Sequence, residues 1–422
     1  MKGVVLAAGK GERLRPLTDD RPKVMLKVAN RAIIDYVFEN IYPFVDEFIV
    51  IVRYQKEKLM EYLGDEYGGK PITYVEQVKG EGTARAIYSA IEYIENEEFL
   101  AVNGDIYFER EGIKTLLQSF RKNNADAALL VKRFEDLTHF GMVEVEGELV
   151  KNIREKPGAV SGYANLGIYL FKPEVFGFIE KTPKSQRGEY EITDTINLMI
   201  KEGKKVAYAV YEGYWNDMGR PWNLLELNEY ILKNHLQHSI KGIVEEGATI
   251  LPPVEIEEGT VVRSGAYIIG PVKIGKNSKI GPNCFIRPYT SIGDRCHIGN
   301  AVEIKNSIIM DHSNAPHLNY VGDSIVGENT NLGAGTITAN LRHDNKTIKV
   351  EIKGKFEDSG RRKLGAIIGH NVKTGINVTI YPGRKIGSNS FIGPGVIVDK
   401  NVPPNVLVVA KQEKEIIERW GE

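Results

Sequence analysis

Residues 274–304 read IGKNSK-IGPNCF-IRPYTS-IGDRCH-IGNAVE-I, with an isoleucine at every sixth place. The ladder begins earlier, at Val244, and runs through Ile250, Ile256, Val262 and Ile268 to Met310. It resumes at Ile368, Thr374, Ile380, Ile386, Ile392 and Val398. Four places after each ladder residue stands a small or β-branched one, such as Val272, Ser278, Cys284, Thr290 and Cys296. Gly275, Gly281, Gly293 and Gly299 directly follow ladder positions. A helix repeats at 3.6 residues and an alternating strand at 2, so strict sixes fit neither. They fit a parallel β-helix, in which three hexads make one triangular coil and each coil buries its apolar residues against the next.

The rest of the chain is of another kind. At 422 residues it is too long for one ordinary core, so two domains are expected. The composition, 42% hydrophobic and 26% charged, is that of a globular protein. A net charge of −1 gives no global pull toward nucleic acid or a membrane surface. No apolar run is long enough to span a bilayer, and the run at residues 4–8 is too short for a signal segment. A cytoplasmic protein is expected, with neither nucleic acid nor membrane as partner. Cys284 and Cys296 share one inward hexad position and read as buried small residues rather than a disulfide or metal site.

Residues 1–220 alternate strand-like and helix-like segments: strands at 2–8, 47–53 and 99–102, helices at 33–42 and 82–94, then strands and tight turns over 127–171. That alternation predicts an α/β domain, a Rossmann-like mixed sheet covered by helices. Pro221 opens a linker helix over 221–239, striped by Leu224, Leu225, Ile231 and Leu232. The β-helix is expected over 240–410, and 411–422, with Ile416, Ile417 and Trp420, as a short helix on its end coils.

The first strand runs into Leu6-Ala7-Ala8-Gly9-Lys10-Gly11-Glu12-Arg13-Leu14. Glycines let backbone N–H groups approach phosphate oxygens. The loop lacks the spacing of a Walker A motif, and Arg13-Leu14 stands where a dinucleotide fingerprint has its last glycine. On its own it could equally be a basic turn. The whole stretch LAAGKGERLRPLTDDRPKVML, however, resembles the signature of sugar-1-phosphate nucleotidylyltransferases, and the resemblance covers about 1–235. It implies a nucleotide site at Leu6, Ala8, Gly9 and Gly11, with Arg13 and Lys23 as the catalytic cations. Gln77 with Gly82-Thr83 resembles the elements that read a pyrimidine, uracil or thymine. Asp105, in Asn103-Gly104-Asp105, and Asp217, in Trp215-Asn216-Asp217-Met218-Gly219, resemble the two ligands of a Mg²⁺ ion; paired carboxylates suit a hard, octahedral cation. On the sugar-phosphate side the matching residues are Asn103, Gly141, Glu155, Lys156 and Asn165, with 189–194 ordering the lobe.

After Met310 the sixfold phase fails, and it returns, shifted, at Val326, Leu332 and Thr338. The break is read as a loop leaving the coil, a place where function collects. The run HIGNAVEIKNSIIMDHSNAPHLNYVGDSIVGENTNLGAGTI, with Ile286-Arg287-Pro288 before it, closely resembles the acetyltransferase half of bifunctional glucosamine-1-phosphate N-acetyltransferase / N-acetylglucosamine-1-phosphate uridylyltransferases. The resemblance implies His317 as general base and Arg287 and Lys305 as phosphate-binding cations. Tyr320, Asn331 and Asn340 would contact substrate and Ala334 would contact acetyl-CoA. It also implies left-handed coiling and a homotrimer with the acetyl site shared between neighbouring β-helices. A base titrating near neutrality suits the task, because a sugar amine is mostly protonated at pH 7. Beyond Asn340 the chain departs from the bacterial pattern: Leu341-Arg342-His343-Asp344 replaces Tyr-Asp-Gly, and Lys346 and Lys349, on a basic arm, take the place of a later substrate lysine.

Two functional readings follow. The first is a bifunctional enzyme that acetylates glucosamine-1-phosphate and couples the product to UTP. The second is a single-activity hexose-1-phosphate thymidylyl-, uridylyl- or guanylyltransferase whose β-helix only oligomerises the chain. Asp217 favours the second, since N-acetylglucosamine-1-phosphate uridylyltransferases usually carry Asn there. Arg287, Lys305, His317 and Tyr320 together favour the first. A regulatory subunit with a dead transferase domain is disfavoured by the intact Arg13, Lys23, Asp105 and Asp217.

Overall fold

The apolar run after Met1 forms strand β1 (Lys2–Leu6), whose Val4 and Val5 are fully buried. In the computed structural model, which describes residues 1–77, 80–155, 158–185 and 187–417, β1 is central to the first of two units. This unit comprises Met1–Gly11, Asp20–Lys27 and Arg31–Gly219. β1 pairs in parallel with β2 (Glu47–Val52) and, on its other side, with β4 (Phe99–Asn103), while β3 (Lys70–Glu76) extends the sheet beyond β2. Beyond β4 the sheet becomes mixed. The remaining long strands are β5 (Ala127–Phe134), β6 (Gly141–Glu146), β7 (Leu149–Glu155), β8 (Gly162–Phe171) and β9 (Val206–Val210), giving the order β3-β2-β1-β4-β8-β5-β9-β7-β6, with the two-residue strand Glu66–Tyr67 beyond β3 at the edge. Val4 faces one apolar cluster and Val5 another, so both faces are covered, as the continuous apolar strands require. The helix expected at 82–94 is shorter: it spans Thr83–Tyr88, because the Ser89 N–H bonds the carbonyls of both Arg85 and Ala86 and tightens the turn.

The second unit takes Arg220–Glu422 together with two distant segments, Glu12–Asp19 and Val28–Asn30. It is a left-handed parallel β-helix. Ladder residues stack in register, Ile256 on Ile274 on Ile292 and Ile268 on Ile286 on Ile304, and all are fully buried. The small interior residues tie coil to coil: Ser278 Oγ donates to Gly293 O at 2.9 Å and accepts from Cys296 N–H at 3.0 Å. The glycine after a ladder residue is steric in origin, since a Cβ on Gly275 would lie 2.6 Å from the backbone carbon of Gly293. Cys284 and Cys296 are buried and unpaired, and burial pushes both thiols up to about 12.

The interruption after Ile304 is not the loop expected from the sequence. Ile304 stacks on Val321 and Ile292 on Ile309, seventeen residues away instead of eighteen. One corner has lost a residue, and a second is shortened between Val321 and Val326. The left-handed corner residues record both losses: they run Arg295, Ala301, Asn306, His312, Leu318, Asp323, Asn329, in steps of six except before Asn306 and Asp323. Met310 therefore yields the inward place to Ile309, and His317 and Tyr320 lie on regular coil strands, Asn314–His317 and Tyr320–Gly322. The true excursion comes later. Val326 stacks on Ile368, and the 24 extra residues between them leave the coil as an arm whose core is the hairpin Lys349–Ile352 with Lys355–Asp358. Lys353 and Gly354 turn it in the left-handed region (φ 50° and 77°).

The linker helix, Pro221–Asn234, packs against the coil strand Thr290–Ile292, and Asn228 Nδ2 donates to Tyr289 O at 2.9 Å. The helix expected over 411–422 is a correction: residues 411–417 carry no regular structure, with Ile416 97% and Ile417 76% exposed. Charges flank these two aliphatics and no described apolar surface receives them, so nothing offsets the cost of ordering the segment. Trp420 lies outside the described residues. No helix among the described residues is long and apolar enough to cross a membrane.

Candidate active sites

Lys23 opens a 3₁₀ turn, Lys23–Met25, and is 7% exposed. Its ammonium donates to Asp105 Oδ2 at 2.6 Å and to the carbonyl of Asp217 at 3.2 Å. Asp105 sits just past the carboxyl end of β4, where the Gly104 N–H bonds Leu6 O at 2.9 Å and holds this turn beside the end of β1. A side chain at Gly104 would meet Leu6 O at 2.9 Å. Sites in such sheets form at the carboxyl ends of the strands. From the same edge run Ala8, Gly9, whose added Cβ would meet nothing within 4 Å, and Gly11, at φ +65°. Arg13 belongs to the Glu12–Asp19 segment of the second unit, where it is exposed and makes no hydrogen bond to a described residue.

One ammonium thus ties Asp105 to Asp217, whose own Oδ1 accepts the Gly219 N–H at 3.1 Å. Among the described residues no group of three or more His, Cys, Asp or Glu side chains is placed to hold a metal ion by itself. The donor set fits a hard cation that takes one or two carboxylates and completes its shell with substrate phosphate and water.

Gln77 is 5% exposed, and its Nε2 donates to Gly80 O and Gly82 O at 3.3 and 3.4 Å. Gly82, at φ +106°, passes so close to Tyr190 that a Cβ would lie 2.3 Å from its carbonyl oxygen. Thr83 Oγ1 accepts the Ile192 N–H at 3.0 Å, so residues 80–84 are fixed against 190–192. On the other side, Glu155 Oε1 accepts from Thr193 Oγ1 at 3.0 Å and faces Gly141, where an added Cβ would stand 3.1 Å away. Asn165 Nδ2 donates to Tyr169 OH at 2.8 Å and its Oδ1 accepts the Gly167 N–H; Gly167 in turn abuts Asn103, with 2.3 Å from an added Cβ to Nδ2. Burial raises the Glu191 and Asp194 carboxyls above the usual range. Lys156 lies outside the described residues. Thr193 lies in the 189–194 stretch expected to order this lobe, whereas Arg187, 2.8 Å from Glu191, was not singled out by motif and emerges only from its contact.

In the second unit, register gathers a second cluster. Glu303 pairs with Tyr320 and Lys305 with Gly322 on adjacent coils. Arg287 Nη1 donates to Glu303 Oε1 at 2.8 Å. Asp323, 2% exposed, receives Asn306 Nδ2 at 2.8 Å, Asn340 Nδ2 at 2.6 Å and Lys305 Nζ at 3.3 Å, and Asn340 also reaches Tyr320 OH at 3.2 Å. Four of the expected residues, Arg287, Lys305, Tyr320 and Asn340, therefore converge on two that sequence missed, Glu303 and Asp323. Asp323 occupies a left-handed corner, which in a regular coil is solvent-facing. His317 is exposed and pairs in register with Asn300; the pKa of His297 is lowered first by burial, then by the charges of Lys279 and His317. Asn331 bridges Asn314 and Lys373 one strand further along, and Ala334 O accepts the Asn377 N–H at 2.8 Å. Lys346 and Lys349 are exposed on the arm, with no described contact to this cluster. Lys353 of the arm pairs with Glu12 at 2.7 Å. Arg384, which the hexad count turns inward, escapes by donating Nε to Asp399 O at 2.7 Å.

A two-site transferase is what these units define, a nucleotidyltransferase sheet followed by a hexapeptide acyltransferase coil. The chain matches the nucleotidyl transferase family over residues 2–234, the GMPPB C-terminal domain over 268–380 and the bacterial transferase hexapeptide (six repeats) over 365–400. It is 44% identical to the bifunctional protein GlmU of Methanocaldococcus jannaschii over 98% of each chain. It is 43% identical to a bifunctional sugar-1-phosphate nucleotidylyltransferase/acetyltransferase of Sulfurisphaera tokodaii, over 95% of this chain and 98% of that one. A crystal structure from Bacillus anthracis, described provisionally as a glucose-1-phosphate thymidylyltransferase in complex with sucrose, matches with a TM-score of 0.50 and 30% identity, over 54% of this chain and 93% of that one. The chain belongs to the family of bifunctional GlmU proteins.

Proposed function

We propose that the protein makes UDP-N-acetylglucosamine in two steps at two separate sites. The second unit acetylates glucosamine-1-phosphate with acetyl-CoA, and the first couples N-acetylglucosamine-1-phosphate to UTP. The observation that carries this reading is the presence of a charged cluster in each unit, Lys23 with Asp105 in one and Arg287, Lys305 and Asp323 in the other.

In the acetyl step the amine nitrogen attacks the thioester carbonyl. The C–N bond forms, the C–S bond breaks, and the nitrogen proton passes to His317 and on to the departing thiolate. Arg287 and Lys305 hold the sugar phosphate, Tyr320, Asn331 and Asn340 orient the sugar, and Ala334 borders acetyl-CoA. Lys346 and Lys349 extend the cationic surface from the arm. Exposed aliphatic side chains along the coil, among them Ile376, Ile397 and Leu407 at 55–65% exposure, suit burial between copies of the chain and support a homotrimer.

In the nucleotidyl step an oxygen of the sugar-1-phosphate attacks the α-phosphorus in line. One P–O bond forms as the bond to the bridging oxygen breaks, and pyrophosphate leaves. Mg²⁺ held by Asp105 and Asp217 would neutralise phosphate charge. Lys23 and Arg13 add fixed positive charge, and the glycines of 9–11 bring backbone N–H groups to the phosphates. Gln77 and the Gly82-Thr83 backbone read the pyrimidine edge; Asn103, Gly141, Glu155, Lys156 and Asn165 hold the sugar phosphate. The test is to follow thiol release from acetyl-CoA with glucosamine-1-phosphate beside pyrophosphate release with UTP and with dTTP. Both releases are expected. Pyrophosphate release without thiol release from folded protein would reduce the coil to an oligomerisation scaffold.

A further inference from the structure

The charged cluster of the second unit is already balanced. Arg287 is matched by Glu303 at 2.8 Å and Lys305 by Asp323 at 3.3 Å, two cations against two carboxylates. A sugar-1-phosphate brings a charge of about −1.5 to −2 at neutral pH, and a neutral cluster offers it little net attraction. Holding it calls for a cation that no carboxylate neutralises. The arm carries one where it rejoins the coil. It leaves after Asn340 and returns antiparallel to its own start: Leu341 bridges to Lys363, the Leu364 N–H bonds Asn340 O at 3.0 Å, and the Gly365 N–H bonds Asp323 O at 2.8 Å. The return is thus fixed to two members of the cluster. A Cβ on Gly322 would stand 2.6 Å from both Asn340 Nδ2 and Tyr320 OH, so the coil strand beside them has to stay bare. Lys363 is half-buried and makes no hydrogen bond or ion pair to a described residue. Two residues earlier, Arg361 keeps a buried Nε–H without an acceptor. The four acids of the arm are engaged elsewhere: Asp344 by Arg342, Glu351 by Asn401, Glu357 by Arg220 and Asp358 by Thr347. Partly buried cations without counter-ions are costly, and an arriving anion relieves that cost.

We propose that Lys363 is a further substrate-binding residue of the acetyl site, the uncompensated cation that receives the phosphate of glucosamine-1-phosphate. The proposal rests on the acetyl-transfer reading above. Arg287 and Lys305, each held by its carboxylate, direct hydrogen bonds to the phosphate oxygens, and the net attraction comes from the neck of the arm. The arm is thereby part of the site, and its return past Asn340 and Asp323 is what brings the charge there.

The test uses the full chain and initial rates of thiol release, with glucosamine-1-phosphate and acetyl-CoA varied in turn. Lys363→Met is expected to raise KM for glucosamine-1-phosphate roughly tenfold to a hundredfold, with KM for acetyl-CoA and the rate of pyrophosphate release within about twofold. Lys363→Arg, which keeps the charge, should restore most of the loss. An unchanged KM for glucosamine-1-phosphate, a parallel rise in both KM values, or a loss confined to kcat would mean that the lysine serves only the arm and would overturn the proposal. If Lys363→Met fails to fold, Lys363→Gln takes its place under the same criteria. The wild-type chain separates the two ideas: no thiol release from it would sink the acetyl-transfer reading itself, whereas normal release there with unchanged KM in Lys363→Met would sink only the role of Lys363.

Discussion

Each unit holds a lysine against an aspartate, and the two pairs are built differently. In the first, Lys23 is 7% exposed while a third of the Asp105 side chain meets solvent, and that carboxylate oxygen has the ammonium at 2.6 Å. In the second, Asp323 is 2% exposed and two asparagines hold it in addition to Lys305. The first pair is a contact that a cation and phosphate oxygens can open. The second is a fixed base plate from which Lys305, Asn340 and Tyr320 project. This difference suits the two chemistries. Phosphoryl transfer needs charge that regroups around an incoming triphosphate, whereas acetyl transfer needs a sugar phosphate held still beside a base.

Lys23→Met gives the largest expected contrast between the pairs. Pyrophosphate release should fall by roughly a hundredfold to a thousandfold, with thiol release unchanged, as initial rates on the purified chain would report. Asp323→Ala probes the other pair through stability. It strips three donors of a buried acceptor and should lower stability by about 2–4 kcal/mol, whereas Asp105→Asn, whose amide oxygen still accepts from the Lys23 ammonium, should cost within about 1 kcal/mol; urea titrations of both variants read the contrast directly. Equal losses would mean that the two pairs are alike.

The β-helix was legible because one residue in six must face inward, and Ile256, Ile274 and Ile292 do. The one-residue shortening was hidden because Ile308, Ile309 and Met310 are all apolar, so the count of six lands on Met310 while Ile309 takes the interior. The arm was visible as a departure from the hexads, yet its contact from Lys353 to Glu12 could not be read, because nothing local encodes it. The residues proposed for the site of the first unit were read from glycines and a basic signature, and the contact of Lys23 with Asp105 joins two of them. That the Glu12–Asp19 part of that signature packs with the coil was not legible, because the residues that bond it, His370 (Nε2 to Leu17 O, 2.9 Å) and Ser388 (Oγ to Pro16 O, 3.1 Å), look in sequence like two ordinary corner residues. Asp323 escaped for the same reason.

The claim of two independent sites is tested most directly by measuring both activities in Asp105→Asn and His317→Ala, each as folded full-length protein. Asp105→Asn should abolish pyrophosphate release and spare thiol release, and His317→Ala should do the reverse. Loss of both activities in either folded variant would contradict the claim.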